Sequence, residues 1–432
     1  MRPRLSLFAA QEIPAALIIF VSFLVFIQTG TTPALSTLYS ALLALPWTTK
    51  TWMRQRNMRS GKSRLLLCEG LILLCLVALS AITSPQSPGF RWSGMGSGNG
   101  LALFTLLFLL TLNTAWHEVL AEASYWQMRP RMRRFYEQPR LFVAQSLVVA
   151  TYGLLIIFVA SLEVLTHSIY VSWAIGFRAA ASILLLFFLW HSIAVPNASA
   201  TQSPDRGADE GPAPSSAHSA AATTLPSHAK TWCKRFALLF LLLLPQSLMF
   251  YTRVLFLLAT EDQGGLSCSL QELGYAHGVV GAIAFGLGAF LSQRFKTHKH
   301  LKHPHYPQQH VTKKTQSTSH WCPPLSCICL TLSPLVYLAL SLNHPDTLWM
   351  LSLSTFAAQL LFGFGLHRTL SHFALPAFIG LRVPLVALAM FLPMALSGWM
   401  VSQMSFTQFF LVDSLCALLP LSLMLWQHHN RR

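Results

Sequence analysis

Runs of about twenty apolar residues recur along the whole chain, and they restrict its fold more than any motif does. A helix needs about 20 such residues to cross the hydrocarbon core of a bilayer. Runs of that kind fall at 7–29, 34–52, 65–84, 100–122, 141–163, 169–194, 235–259, 269–292, 322–342, 347–367, 380–402 and 406–427, the second interrupted by Pro46 and Lys50. The 432 residues are 53% hydrophobic and 10% charged, against about 25% charged in an average soluble domain. A water-soluble fold cannot hide that much apolar surface. The chain therefore reads as an all-α polytopic membrane protein with about twelve transmembrane helices. The first run has a short basic flank but no small-residue cleavage site, so it is expected to be retained as a span.

The formal charge of +16 suggests a nucleic-acid partner until the charges are located. The connectors alternate between basic and nearly neutral. Arg2, Arg4, Arg54, Arg56, Arg59, Lys62 and Arg64 fall on one side, followed by Arg129, Arg131, Arg133, Arg134, Arg140, Lys230, Lys234 and Arg235. Arg294, Lys296, Lys299, Lys302, Lys313, Lys314, Arg368, Arg382, Arg431 and Arg432 complete that side. The opposite connectors hold Arg91 and acids such as Glu261, Asp262 and Asp346. By the positive-inside rule both termini are expected in the cytoplasm, and nucleic acid is excluded as a partner.

Residues 195–234 break the apolar pattern with an Ala-, Ser-, Pro- and Gly-rich stretch that reads as a flexible cytoplasmic linker. It divides the chain into an N-terminal six-helix half, 1–194, and a C-terminal half, 235–432. Most of the eight cysteines lie inside apolar runs, among them Cys68, Cys75, Cys327, Cys329 and Cys416, in a spacing that suits neither a zinc ribbon nor a disulfide framework. No cofactor is expected. The connector at 294–320 carries His298, His300, His303, His305 and His310 among lysines. It reads as a solvated basic loop facing anionic lipid headgroups, with transition-metal binding the weaker alternative because no carboxylate or cysteine completes a site.

Six plus six helices around a central linker is the layout of the major facilitator superfamily. Local strings sharpen the likeness. Phe8-Ala-Ala-Gln11-Glu12-Ile-Pro14 resembles the entry helix of AmpG-like muropeptide permeases. Leu45-Pro46-Trp47-Thr-Thr-Lys50-Thr-Trp52 with Arg59-Ser-Gly61-Lys62 resembles their second span and its basic turn. Gly264-Gly265-Leu266-Ser267 with Glu272, Gly274, Gly278 and Gly281, and Leu392-Pro393-Met-Ala-Leu-Ser397-Gly398-Trp399 with Phe409-Phe410, resemble later segments of the same family. The sequence departs from that pattern in having no acid within 53–64 and in carrying Trp116-His117-Glu118 and Glu122 in span four. The resemblance implies two halves rocking about a central site lined by spans one, four, seven and ten. It further implies proton-coupled uptake of a small anionic solute, such as a muropeptide, across a bacterial inner membrane. The fold it resembles usually works as a monomer.

Ionisable side chains inside spans cost about 2.5–3.5 kcal/mol each on insertion scales and usually face a cavity or a partner. Arg253 in span seven has no local counter-charge and offers a forked donor for a carboxylate or phosphate, so it leads the substrate-binding candidates. Lys50, Gln11 and His277 join it, although Lys50 also reads as a snorkelling lysine and His277 sits among glycines that permit close helix packing. For the proton, the candidates are Glu12, just before Pro14, and the group His117, Glu118 and Glu122. The two carboxylates of span four are i,i+4 neighbours, and a His beside them suits a relay. The competing reading puts Glu12 and Glu122 at the membrane surface, Glu122 pairing with Arg129 or Arg133. Glu69, Arg178 and Asp413 are expected in structural ion pairs or at the interface.

No nucleotide-binding loop is present, so a proton or solute gradient is the expected energy source. The acids are dispersed over many helices, unlike the clustered groups of an intramembrane transferase. That enzyme and a transport-inactive scaffold or sensor are the rival readings.

Overall fold

The computed structural model describes residues 3–50, 52–53, 62–84, 98–126, 130–195, 229–300, 324–345, 347–372 and 382–429. Within them the regular elements are all helical. Span one comprises Pro3–Ala16, a π-helical stretch Leu17–Val21 and Ser22–Gln28. Spans three to six are Lys62–Thr83, Gly98–Trp126, Pro130–Thr166 and Ile169–Ala194. Span seven is Ala229–Leu258, and span eight runs through Leu270–Leu273, a second π-helical stretch Gly274–Val280, and Gly281–His300. Spans nine to twelve are Pro324–Asn343, Leu348–His372, Arg382–Gln403 and Phe406–His429.

Eleven of these helices are long and apolar enough to cross a membrane. Span two is the exception, and its sequence explains why. Thr32 caps the entering helix Pro33–Leu42, accepting from the Leu35 amide at 3.4 Å, with Pro33 at the favoured first position. Pro46 then lacks the N–H that should bond the Leu42 carbonyl, and its ring crowds that carbonyl. The helix stops at Leu42 and restarts as Leu45–Thr48.

Burial separates the core from the lipid-facing shell. In spans one and seven 78% of the apolar window is buried, against 28% in spans five and eleven. Spans four and ten, expected to line the centre with them, are only 39% and 44% buried. Large side chains such as Leu186 and Ile193 point outward at 68% and 83% exposure, which suits a bilayer and not water.

The two halves meet through small residues. Gly153 of span five crosses Gly278 of span eight so closely that a Cβ on either would run into the other's backbone. Gly398 of span eleven does the same against Pro33 and Thr37 of span two. Packing here rests on backbone approach and van der Waals contact, since lipid tails offer helices no hydrophobic drive to associate. The linker at 196–228 and the His-rich stretch at 301–310 lie outside the described residues.

Candidate functional site

Three polar groupings sit inside the N-terminal half. Lys50, beyond the break in span two, forms an ion pair with Glu118 of span four, and the Trp47 indole N–H donates to the same carboxylate at 3.1 Å. Lys50 therefore has Glu118 as its counter-ion. Gln11 donates to Glu12 at 3.3 Å, and both are buried. Glu122 is half-buried. Of its two expected partners, Arg129 and the side chain of Arg133 lie outside the described residues.

The third grouping breaks up the relay expected on span four. His117 lies one residue before Glu118, about 100° around the helix, and turns to span three. Its Nε2 is 3.1 Å from Glu69 Oε1. That same oxygen is 2.6 Å from Nδ1 of His191 on span six, and His191 Nε2 is 2.8 Å from the Ser6 hydroxyl on span one. Ser6, Glu69, His117 and His191 are 1%, 7%, 1% and 0% exposed. His191 was not a candidate on the sequence, where it is a lone histidine near the end of an apolar run. Its depth was a usable signal: Ser6, Glu69, His117 and His191 all fall at the end of their spans that faces the basic connectors.

A different environment forms where the halves touch. Arg253 of span seven is 3% exposed, and its Nε has no hydrogen-bond partner. Its guanidinium lies over the Phe250 ring at 5.2 Å, and Phe250 stacks at 5.3 Å on Phe20 of span one. Phe20 meets Tyr152 of span five at 4.8 Å, and Tyr152 meets His277 of span eight edge-on at 5.9 Å. His277 Nε2 is 3.1 Å from the Gln359 amide of span ten. Arg253 is within electrostatic reach of Tyr152, Tyr337 and His277. Arg253 and His277 are thus brought together as candidates, while Lys50 and Gln11 belong to the other half's clusters. No carboxylate forms an ion pair with Arg253 among the described residues.

Both π-helical stretches contribute to this grouping. Leu17–Val21 supplies Phe20, and Gly274–Val280 supplies His277. The first of them begins one turn after Pro14, and in it the Ile19 carbonyl accepts from the Tyr251 hydroxyl at 3.0 Å across the two halves. A π-bulge widens the helix locally and frees backbone groups, which is why such segments concentrate at functional sites.

Of the remaining intramembrane charges, Arg178 is exposed and donates from Nε to Ser80 at 2.8 Å. Asp413 of span twelve is neither ion-paired nor interfacial. It is 0% exposed, and neither carboxylate oxygen has a hydrogen-bond partner. Among the described residues no group of three or more His, Cys, Asp or Glu could hold a metal ion.

No protein-family model matches this sequence, and none of the curated proteins matches it. Solved structures do. The crystal structure of the nucleoside transporter NupG aligns with a TM-score of 0.61 at 14% identity, covering 98% of each chain. Tetrameric PepTSo2 aligns at 0.59 and 10% identity, over 99% of this chain and 98% of that one. A bacterial homolog of the human lysosomal transporter Spinster, solved inward-facing and unoccupied, aligns at 0.52 and 14% identity over 97% of each chain. At these identities the likeness establishes the fold and leaves the cargo undetermined. Over essentially its whole length, this chain has the fold of the major facilitator membrane transporters.

Proposed function

We propose that this protein is a secondary active transporter that carries a small anionic solute with protons across the cytoplasmic membrane of a bacterium, and that Arg253 holds the solute's anionic group. One observation carries this reading. A guanidinium is buried where the two halves meet, with an unfilled N–H and no carboxylate paired with it among the described residues. Burying a charge without a partner costs several kcal/mol, and an anionic ligand supplies the missing partner. Arg's planar fork matches a carboxylate or phosphate with two parallel bonds. The rings of Phe20, Tyr152, Phe250 and Tyr337 suit a solute with a flat or ring-bearing body, such as a sugar.

Within this class a sugar-peptide, and a muropeptide in particular, is the narrower candidate. It rests on the resemblance of spans one, two, eight and eleven to the muropeptide permeases. His277, held by Gln359, contributes a second polar contact to the solute. The positive-inside pattern supports cytoplasmic termini.

Uptake of a labelled anhydro-muropeptide into proteoliposomes under an imposed pH gradient tests the proposal, with wild type and Arg253→Ala side by side. Uptake that collapses with an uncoupler, and falls at least about a hundredfold in the variant (about 2.7 kcal/mol), supports it. Uptake unchanged by the substitution removes Arg253 from the site. Absence of uptake by a correctly inserted wild type removes muropeptide as cargo, and a screen of other anions and of nucleosides follows. Transport of nothing in that screen favours the scaffold or sensor reading, to which the acid-free turn at 53–64 already points.

A further inference from the structure

We propose that Ser6, Glu69, His117 and His191 form a one-proton site inside the N-terminal half, away from the Arg253 pocket, with the proton held on His191. Charge accounting leads there. If both imidazoles are neutral and Glu69 is ionised, the grouping carries a net charge of −1 at 0–7% exposure. The cation one helical face away, Lys50, is already committed to Glu118.

A single added proton removes the imbalance, and the hydrogen-bond geometry shows where it fits. His191 in its imidazolium form donates from Nδ1 to Glu69 Oε1 at 2.6 Å and from Nε2 to the Ser6 hydroxyl at 2.8 Å. Both of its N–H groups are then satisfied without water. His117 keeps the neutral tautomer, donating from Nε2 to the same oxygen at 3.1 Å. Its Nδ1 and Glu69 Oε2 are the two buried atoms of the grouping left without partners.

Both residues line a cavity of about 10 Å³, closed otherwise by Ala10, Ile72, Leu184 and Phe187. That is close to the minimum for one water molecule, enough to give a partner to one of the two orphaned atoms. A metal ion is a poor occupant, because Oε1 already fills the point on which both ring nitrogens converge.

The other titratable groups on the surrounding helices are few. Span one has Glu12, bonded by Gln11. Span three has half-buried Lys62, exposed Arg64 and the buried Cys68 thiol, and span four has Glu118, paired with Lys50, and Glu122. Glu69 Oε1 meets both imidazoles, at 3.1 and 2.6 Å.

The site stands on its own geometry, and its role in coupling rests on the transporter reading. Nitrogen NMR of 15N-histidine protein in nanodiscs separates the two, with His117→Gln and His191→Gln assigning the signals. At pH 7, a His191 resonance with both ring nitrogens protonated supports the site, as does an imidazolium-to-imidazole ratio about tenfold lower in Glu69→Gln, which corresponds to about 1.4 kcal/mol of differential interaction. A neutral His191 from pH 5 to pH 8 overturns the site, whatever the transport result. If Glu69→Gln does not insert as a monodisperse protein, the wild-type spectra alone decide. For coupling, a transported solute must no longer be driven by a pH gradient in Glu69→Gln while still exchanging down its own gradient. Gradient-driven uptake that persists in that variant overturns the coupling role and leaves a structural proton.

Discussion

In the N-terminal half Lys50 rests against Glu118 and Glu69 takes bonds from two imidazoles, whereas in the C-terminal half Arg253 and Asp413 are buried with no counter-charge among the described residues. The sequence places one kind of problem in both halves, an ionisable side chain within a span. The solutions differ. The paired groups join helices of a single half (two to four, three to four and six, six to one) and so hold that half together as a body. Arg253 lies where span seven meets spans one, five and eight. In the transporter proposed above the halves would separate at this surface, and a counter-charge there would tie them together and occupy the place of a solute. The paired charges thus lie within one half, whereas Arg253, with no ion pair among the described residues, lies where the halves meet.

The contrast can be tested by removing charges in each half and comparing stability. The largest effect is expected for Glu69→Ala, which leaves two polar imidazoles buried without their acceptor. Breaking a buried pair in this way costs about 3–5 kcal/mol, read as a clear drop in melting temperature of the detergent-solubilised protein. An unchanged melting point would mean that the network does not form. Next in size is Lys50→Met, expected to destabilise by about 1–3 kcal/mol because Glu118 and its Trp47 contact lose their cation. Combining it with Glu118→Leu should restore most of that loss, and simple additivity in the double variant would deny the pairing.

Arg253→Met is expected to act in the opposite direction, raising stability by about 1–2 kcal/mol as an uncompensated charge leaves the interior, while uptake is lost. A variant that loses stability and uptake together would make Arg253 a structural residue. The smallest effect belongs to Asp413→Asn, which keeps the shape. If the carboxyl is neutral in its 0% exposed position, stability should move by less than about 1 kcal/mol. A larger loss would reveal a partner and return Asp413 to the paired class.

Some of this was legible in the chain and some was not. The span pattern, the break at Pro46 and the close glycine crossing at Gly278 follow from hydropathy and from backbone sterics, which are local properties. Arg253 could be singled out because its span offers no neutralising neighbour. His117 was assigned the wrong company, since adjacency in sequence suggested Glu118 whereas a helix turns consecutive residues to different faces. His191 went unnoticed because its partner, Glu69, is 122 residues away. Asp413 was expected in an ion pair or at the interface, and it is instead fully buried with no hydrogen-bond partner among the described residues.

The sequence by itself determined that this chain is all-helical and crosses a membrane many times, because transfer free energy adds up residue by residue along a helix. Only the tertiary structure decided which buried charges are paired and which are left open. That outcome depends on how each helix is rotated about its axis and which neighbour it touches, and neither is written in the order of residues along a single span.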